Sequence, residues 1–187
     1  MDCLGNSITN SSPQVVAGLN DFINGFLAYE KKASNIIDVA NENPHNCIAN
    51  AYASILWMFL ESPEAPDKAK PFLDRALKSR ESANQREAEI TNIVNDWAND
   101  DVPGLLKKSE NLLNTYPKDL VILKLAQIHY FNCGDSAGML RIALKGLPDG
   151  KSNPYLHGMI AFGYEQCHLI REAEKSARKA LSIKWNE

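Results

Sequence analysis

Four residue pairs in the last part of the chain recur at one and the same interval: Tyr130 and Tyr164, Cys133 and Cys167, Ala143 and Ala177, Leu147 and Leu181. The same shift carries Pro117 to Lys151 and then to Trp185. The interval is about 34 residues, the length of one supersecondary unit. Such a unit cannot bury its apolar side alone and must stack on copies of itself.

The punctuation between apolar stretches is helical throughout. Ser12-Pro13 and Asn153-Pro154 each place a capping side chain before a proline at the first helical position, where a missing N–H costs nothing. Asp67, Asp101 and Asp119 are further N-cap candidates, and Asn43-Pro44 and Tyr116-Pro117 read as stops. In the first helix Val16, Leu19, Phe22, Ile23, Phe26 and Leu27 make one stripe, so Asn24-Gly25 reads as a weak spot in a helix rather than a hairpin turn. No segment reads as a strand.

That period, joined to a small residue, an aromatic and two alanines seven apart, is the pattern of the tetratricopeptide repeat. The last unit supplies Ala161, Tyr164, Ala173 and Ala180, with Trp185 in the proline place. The second has Trp57, Ala69 and Ala76, and about three extra residues in the Ser62 to Pro66 turn. The expectation is an all-α superhelix of about five helix pairs in a single solenoid domain, residues 1–187. Its units run approximately over 13–46, 47–84, 85–119, 120–153 and 154–187.

Composition narrows the function classes. The 187 residues carry Lys+Arg 20 against Asp+Glu 23, a net charge of -3, so there is no general basic field for nucleic acid. Ile55 to Leu60 is the longest strongly apolar stretch, far short of the roughly 20 residues that span a bilayer. Met1-Asp2-Cys3 opens neither a signal peptide nor a myristoylation signal, so the expected location is cytoplasmic. In that compartment the Asn10-Ser11-Ser12 sequon is idle, and Cys3, Cys47, Cys133 and Cys167 are expected as buried thiols.

The chain also resembles the N-terminal part of the tetratricopeptide repeat protein 38 family, including its bacterial members. The likeness is carried by Asp2-Cys-Leu-Gly5-Asn-Ser-Ile8-Thr9, by Arg86-Glu87 through Trp97, and by Tyr116-Pro117-Lys-Asp119-Leu120. Its most specific part is Gly158-Met159-Ile-Ala161-Phe162-Gly163-Tyr-Glu165 followed by Ala173-Glu174. It covers nearly all of this chain but less than half of a typical member, since members continue into further repeats after the place of Ile183. The resemblance implies a helical repeat scaffold and brings no catalytic residues.

Chemistry finds little support. Cys167 and His168 adjoin, but at a turn where neighbours point apart, and His129 and His157 lack an acidic partner or a glycine-rich loop. No HExxH, CxxC, GxGxxG or GxxxxGK is present, so neither catalytic residues, nor a metal site, nor a cofactor is expected.

The concave face built from the first helix of each pair is the expected binding surface. Counting along those helices, its positions include Ile55, Met58 and Phe59, then Ile90, Val94 and Trp97. They continue with Lys124, Ile128 and Phe131, and then Tyr155 and Phe162. Lys124 is the single cation in this set, too few for a clamp on a peptide carboxylate. The groove is apolar and should be covered. A final helix bearing Ile170, Ala173, Ala177 and Leu181 adds to that surface, so the expected partners are a protein or peptide and a second copy in a homodimer. The alternative is a helical enzyme or small-molecule carrier with its site in the same groove.

Overall fold

The structure, a computed structural model, describes residues 1–9 and 11–184. Asn10 of the sequon and Trp185 of the repeat pattern lie outside the described residues. Among those described there is no strand; the chain is helical, with α1 (Pro13–Ala28), α2 (Asn35–Glu42), α3 (Cys47–Met58), α4 (Ala65–Ser79), α5 (Gln85–Ala98) and α6 (Val102–Thr115). They are followed by α7 (Leu120–Asn132), α8 (Ser136–Lys145), a single turn α9 (Leu147–Gly150), α10 (Pro154–Gln166) and α11 (Ile170–Lys184). Two compact units divide it, Met1–Lys108 and Ser109–Glu187, the division falling within α6.

The caps explain where these helices begin. Ser12 Oγ accepts from Val15 N at 3.3 Å, Asp119 Oδ1 from Ile122 N at 3.1 Å, and Asn153 Oδ1 from Tyr155 N at 2.9 Å. Asp101 Oδ1 accepts from Gly104 N at 2.9 Å and so caps α6. Asp67 is a correction: α4 opens two residues earlier, at Ala65, which leaves Asp67 inside the first turn, where its charge still suits the positive end of the helix. Asn46, Asn84 and Asp135 cap α3, α5 and α8 by the same chemistry.

The repeat is written in the backbone more faithfully than in the side chains. Asp100, Gly134 and His168 follow one another at the repeat interval, each in the turn of a helix pair and each left-handed, with φ of 58°, 73° and 59°. The residue after each donates its N–H back across the turn: Asp101 to Asp96 O, Asp135 to Tyr130 O and Leu169 to Tyr164 O, all at 2.9 Å. Such a bond satisfies a carbonyl that the helix end leaves open. Only one of the three turn residues is glycine, so the sequence hides this equivalence.

In the first unit Phe22 and Tyr52 stack with centroids 4.6 Å apart, amid fully buried Ile23, Ile36, Ile48 and Ile93. Ser54 Oγ donates to Ala69 O at 3.1 Å, a contact between α3 and α4 that the small side chains Ala53, Ala69 and Ala76 permit. Asn24-Gly25 lies inside α1 and not in a hairpin turn, and Gly25 has a packing task there. A Cβ there would run into the Ala33 backbone, so glycine lets the turn after α1 fold back onto it. In the second unit α7 is buried around most of its circumference, as its run Leu120-Val-Ile-Leu-Lys-Leu-Ala126 requires.

The cysteines depart from expectation. Cys47 alone is buried; Cys3 and Cys133 are exposed and Cys167 is half-buried. Cys3 lies in the segment before α1, and Cys133 and Cys167 sit at helix ends, where solvent reaches one side.

Candidate interaction surface

The inner positions separate into core and surface. In the first unit Ile55, Ile90 and Val94 are fully buried and Met58 nearly so, which commits them to packing. Phe59 and Trp97 are half-buried, edge to face at 5.3 Å, and Phe26 meets Phe59 edge to face at 4.9 Å. The accessible part of this set is therefore the outer part of an aromatic cluster.

In the second unit Lys124 is buried, and burial lowers its ammonium to about 8. Ile128, Tyr155 and Phe162 are half-buried, and Phe131 is 46% exposed with its ring 5.5 Å from that of Phe162. His129 and His157 are both buried; burial lowers His129 to about 4, and His157 Nε2 pairs with Lys151 O at 2.9 Å. Cys167 Sγ donates to Ser136 O at 3.2 Å while His168 is exposed, so the adjacent pair does point apart. Among the described residues no group of His, Cys, Asp and Glu is placed to hold a metal ion.

A second apolar surface lies between α10 and α11. Ala161 and Phe162 of α10 and Ile170, Ala173 and Ala177 of α11 line an open groove, with the carboxylates of Glu165 and Glu174 on its rim. Ile170 is 60% exposed and Leu181 56%, while Leu169 at the turn is 43% exposed. The stripe on α11 was legible from its spacing. The carboxylate rim was not, because glutamates on an amphipathic helix look the same whether they border a groove or face open water.

Sequence reasoning also missed how the opening segment, Met1 to Thr9, is held. Asp2 and Arg86 form an ion pair at 3.4 Å with both side chains almost wholly buried, and Arg86 donates to Tyr52 OH at 3.0 Å. Thr9 N donates to Glu87 Oε1 at 2.8 Å, and Asn84 N to Thr9 Oγ1 at 2.9 Å. Burial raises the Glu87 carboxyl despite those hydrogen bonds. The segment is thereby strapped across the start of α5.

No family model matches the chain. A crystal structure of MamA protein, a tetratricopeptide-type helical repeat protein, superposes with a TM-score of 0.50 over 89% of this chain and 87% of that one, at 15% sequence identity. The fold is of the tetratricopeptide-repeat type. At that identity the likeness speaks of architecture, and it agrees with the helix pairs and the repeated left-handed turns. No helix among the described residues is long and apolar enough to cross a membrane.

Proposed function

We propose that this tetratricopeptide-repeat protein is a scaffold for protein–protein interaction that self-associates through its exposed apolar surface, and that it belongs with the tetratricopeptide repeat protein 38 family. The family reading is supported by the opening segment Asp2 to Thr9 and by Gly158 to Glu165. Asp2 and Thr9 there form the buried strap, and Gly163 lies against the Leu140 backbone, so these residues have structural tasks that reward keeping them. The five-unit division is supported by helix pairs that open at Pro13, Cys47, Gln85, Leu120 and Pro154.

The observation that carries self-association is the α10–α11 face, where Leu169, Ile170 and Leu181 are all large, apolar and exposed. Large apolar side chains left exposed on a repeat protein suit a contact surface, and their burial at roughly 25 cal/mol per Å² drives association once ordering costs are met. Sedimentation equilibrium over a dilution series tests this. A reversible dimer at micromolar concentration is expected, and a chain that stays monomeric throughout overturns it. The partner-binding role is tested separately by immobilising the chain and measuring capture of candidate proteins with Trp97→Ala and Phe131→Ala as controls. Capture unaffected by both substitutions would remove these aromatic clusters from the reading.

A further inference from the structure

The opening segment Met1–Thr9 is held the wrong way round for a piece of core. Its buried residues are Asp2 and Asn6, both polar, while Met1 is 77% exposed and Leu4 and Ile8 are half-buried. Its ties to the helices are polar as well, and they reach α1, α3 and α5. Cys3 N donates to Asn20 Oδ1 of α1 at 2.8 Å, and Arg86 of α5 joins Asp2 to Tyr52 of α3. The Ser7 carbonyl accepts from Asn84 Nδ2 at 3.2 Å and from Arg86 Nη1 at 3.3 Å. Helices α1, α3 and α5 open the first three pairs, and such a row is where a repeat array presents its binding surface. Side chains of a helix row that grip the main chain and one acid of a short segment are arranged as a receptor is around a peptide.

The segment also carries its own local fold. Asp2 Oδ1 accepts from Leu4 N at 3.0 Å and Asn6 N at 2.8 Å, Asp2 N donates to Asn6 O at 2.9 Å, and Gly5 completes the turn at φ 81°. The other carboxylate oxygen, Oδ2, faces Asn6 Nδ2 at 3.2 Å and the Arg86 guanidinium at 3.4 Å. One oxygen builds the turn and the other is read by the seat. A turn made by local bonds has less to lose in ordering when it binds. A segment that buries so little apolar surface also lets go before the core does. We propose that Met1–Thr9 is a peptide ligand bound in cis, and that its seat, centred on Arg86 and Tyr52, recognises a turn of the same chemistry in a partner protein: an aspartate three residues before a Gly-Asn pair. The strap is then an autoinhibitory contact that the partner displaces. This rests on the scaffold reading, to which it gives a site, and is independent of self-association.

Two measurements decide it. The amides of Cys3 and Thr9 are bonded to side chains of α1 and α5. In native-state hydrogen exchange of the wild-type chain they should exchange together, and about 100-fold or more faster than those of Ile93 and Val94. Exchange as slow as the core would show that the strap leaves only with global unfolding, and overturns the proposal. The second measurement titrates a fluorescent peptide with the sequence of Met1–Thr9, which in the wild type must compete with a strap at high effective concentration. It should bind the full-length Asp2→Ala chain about tenfold or more tightly than wild type. Adding Arg86→Met to that chain, or Asp2→Asn to the peptide, should abolish the gain. If Asp2→Ala fails to fold, Gly5→Val, which strains the turn at its positive φ and leaves the seat intact, takes its place. No gain in a folded variant, or a gain that Arg86→Met leaves untouched, overturns this seat, while the scaffold reading is still decided by Trp97→Ala and Phe131→Ala.

Discussion

Arg86 is 3% exposed, and its guanidinium reaches Asp2 and Tyr52. Removing one member of a buried ion pair strands the other without water, so Arg86→Ala should cost about 3 to 5 kcal/mol in urea unfolding. The double variant Asp2→Ala/Arg86→Met, which replaces both charges with apolar groups, should be closer to wild type than Arg86→Ala alone; the reverse order would show that the pair is not what holds the strap. His129 sets an acid limit of its own. Burial holds it neutral to about 4 in the folded chain, whereas the unfolded chain protonates it near 6.5. Between those values the unfolded state binds the extra proton, so stability is intact above about pH 6.5 and falls as the pH drops from there to about 4. The loss is on the order of 2 to 3 kcal/mol. A titration of unfolding free energy from about pH 7 to about 4 should be flatter for His129→Gln by that amount, and parallel curves would refute the assignment.

Within single elements, glycine placement separates packing from conformational freedom. Helix α10 carries Gly158, with open space where a Cβ would go, and Gly163, whose Cβ would crowd the Leu140 backbone. Gly158→Ala should therefore stabilise by about 0.5 to 1 kcal/mol through helix propensity and a less free unfolded chain. Gly163→Ala gains the same propensity but must push α8 aside, and should destabilise by about 1 to 3 kcal/mol. Thermal melts of the two variants, made on the same helix, compare these effects directly; equal shifts would mean that α10 does not approach α8 as closely as described. The polar network on α6, α7 and α8 works in the opposite sense, by attraction. Burial acts to raise the Glu110 carboxyl, yet hydrogen bonds from Lys145 and Tyr130 and the charges of Lys145 and Arg141 outweigh it and hold it low.

For the whole molecule the question is what would drive the proposed self-association. A net charge of -3 is too small to oppose pairing of like chains strongly, and the α10–α11 face offers apolar side chains with only a few rim charges. Exposed ion pairs contribute little and are screened by salt, whereas apolar burial is not. The dissociation constant of the proposed dimer should thus change by less than about threefold between low salt and about 0.5 M NaCl, as measured by sedimentation. Steep weakening with salt would transfer the drive to the Glu174 and Arg178 pairs and away from the stripe.

The all-helical class, most helix starts and the repeat interval were legible in the sequence, because they rest on local rules: a capping side chain bonds a backbone N–H two or three residues on, and apolar spacing follows the helical period. Asp67 shows the limit even there, since an acidic residue serves almost equally as a cap or in the first turn. The equivalence of Asp100, Gly134 and His168 escaped, because a left-handed turn constrains the backbone and only weakly the side chain. Most of the inner-face positions were recognisable as apolar, but periodicity cannot say whether a stripe is sealed by a neighbouring helix or left open. Only the tertiary structure decided that Ile55, Ile90 and Val94 are core, that Phe131 and the α11 stripe meet solvent, and that Asp2 is buried against Arg86, 84 residues away. Burial is a property of what packs on a residue from distant parts of the chain, and no local pattern contains it.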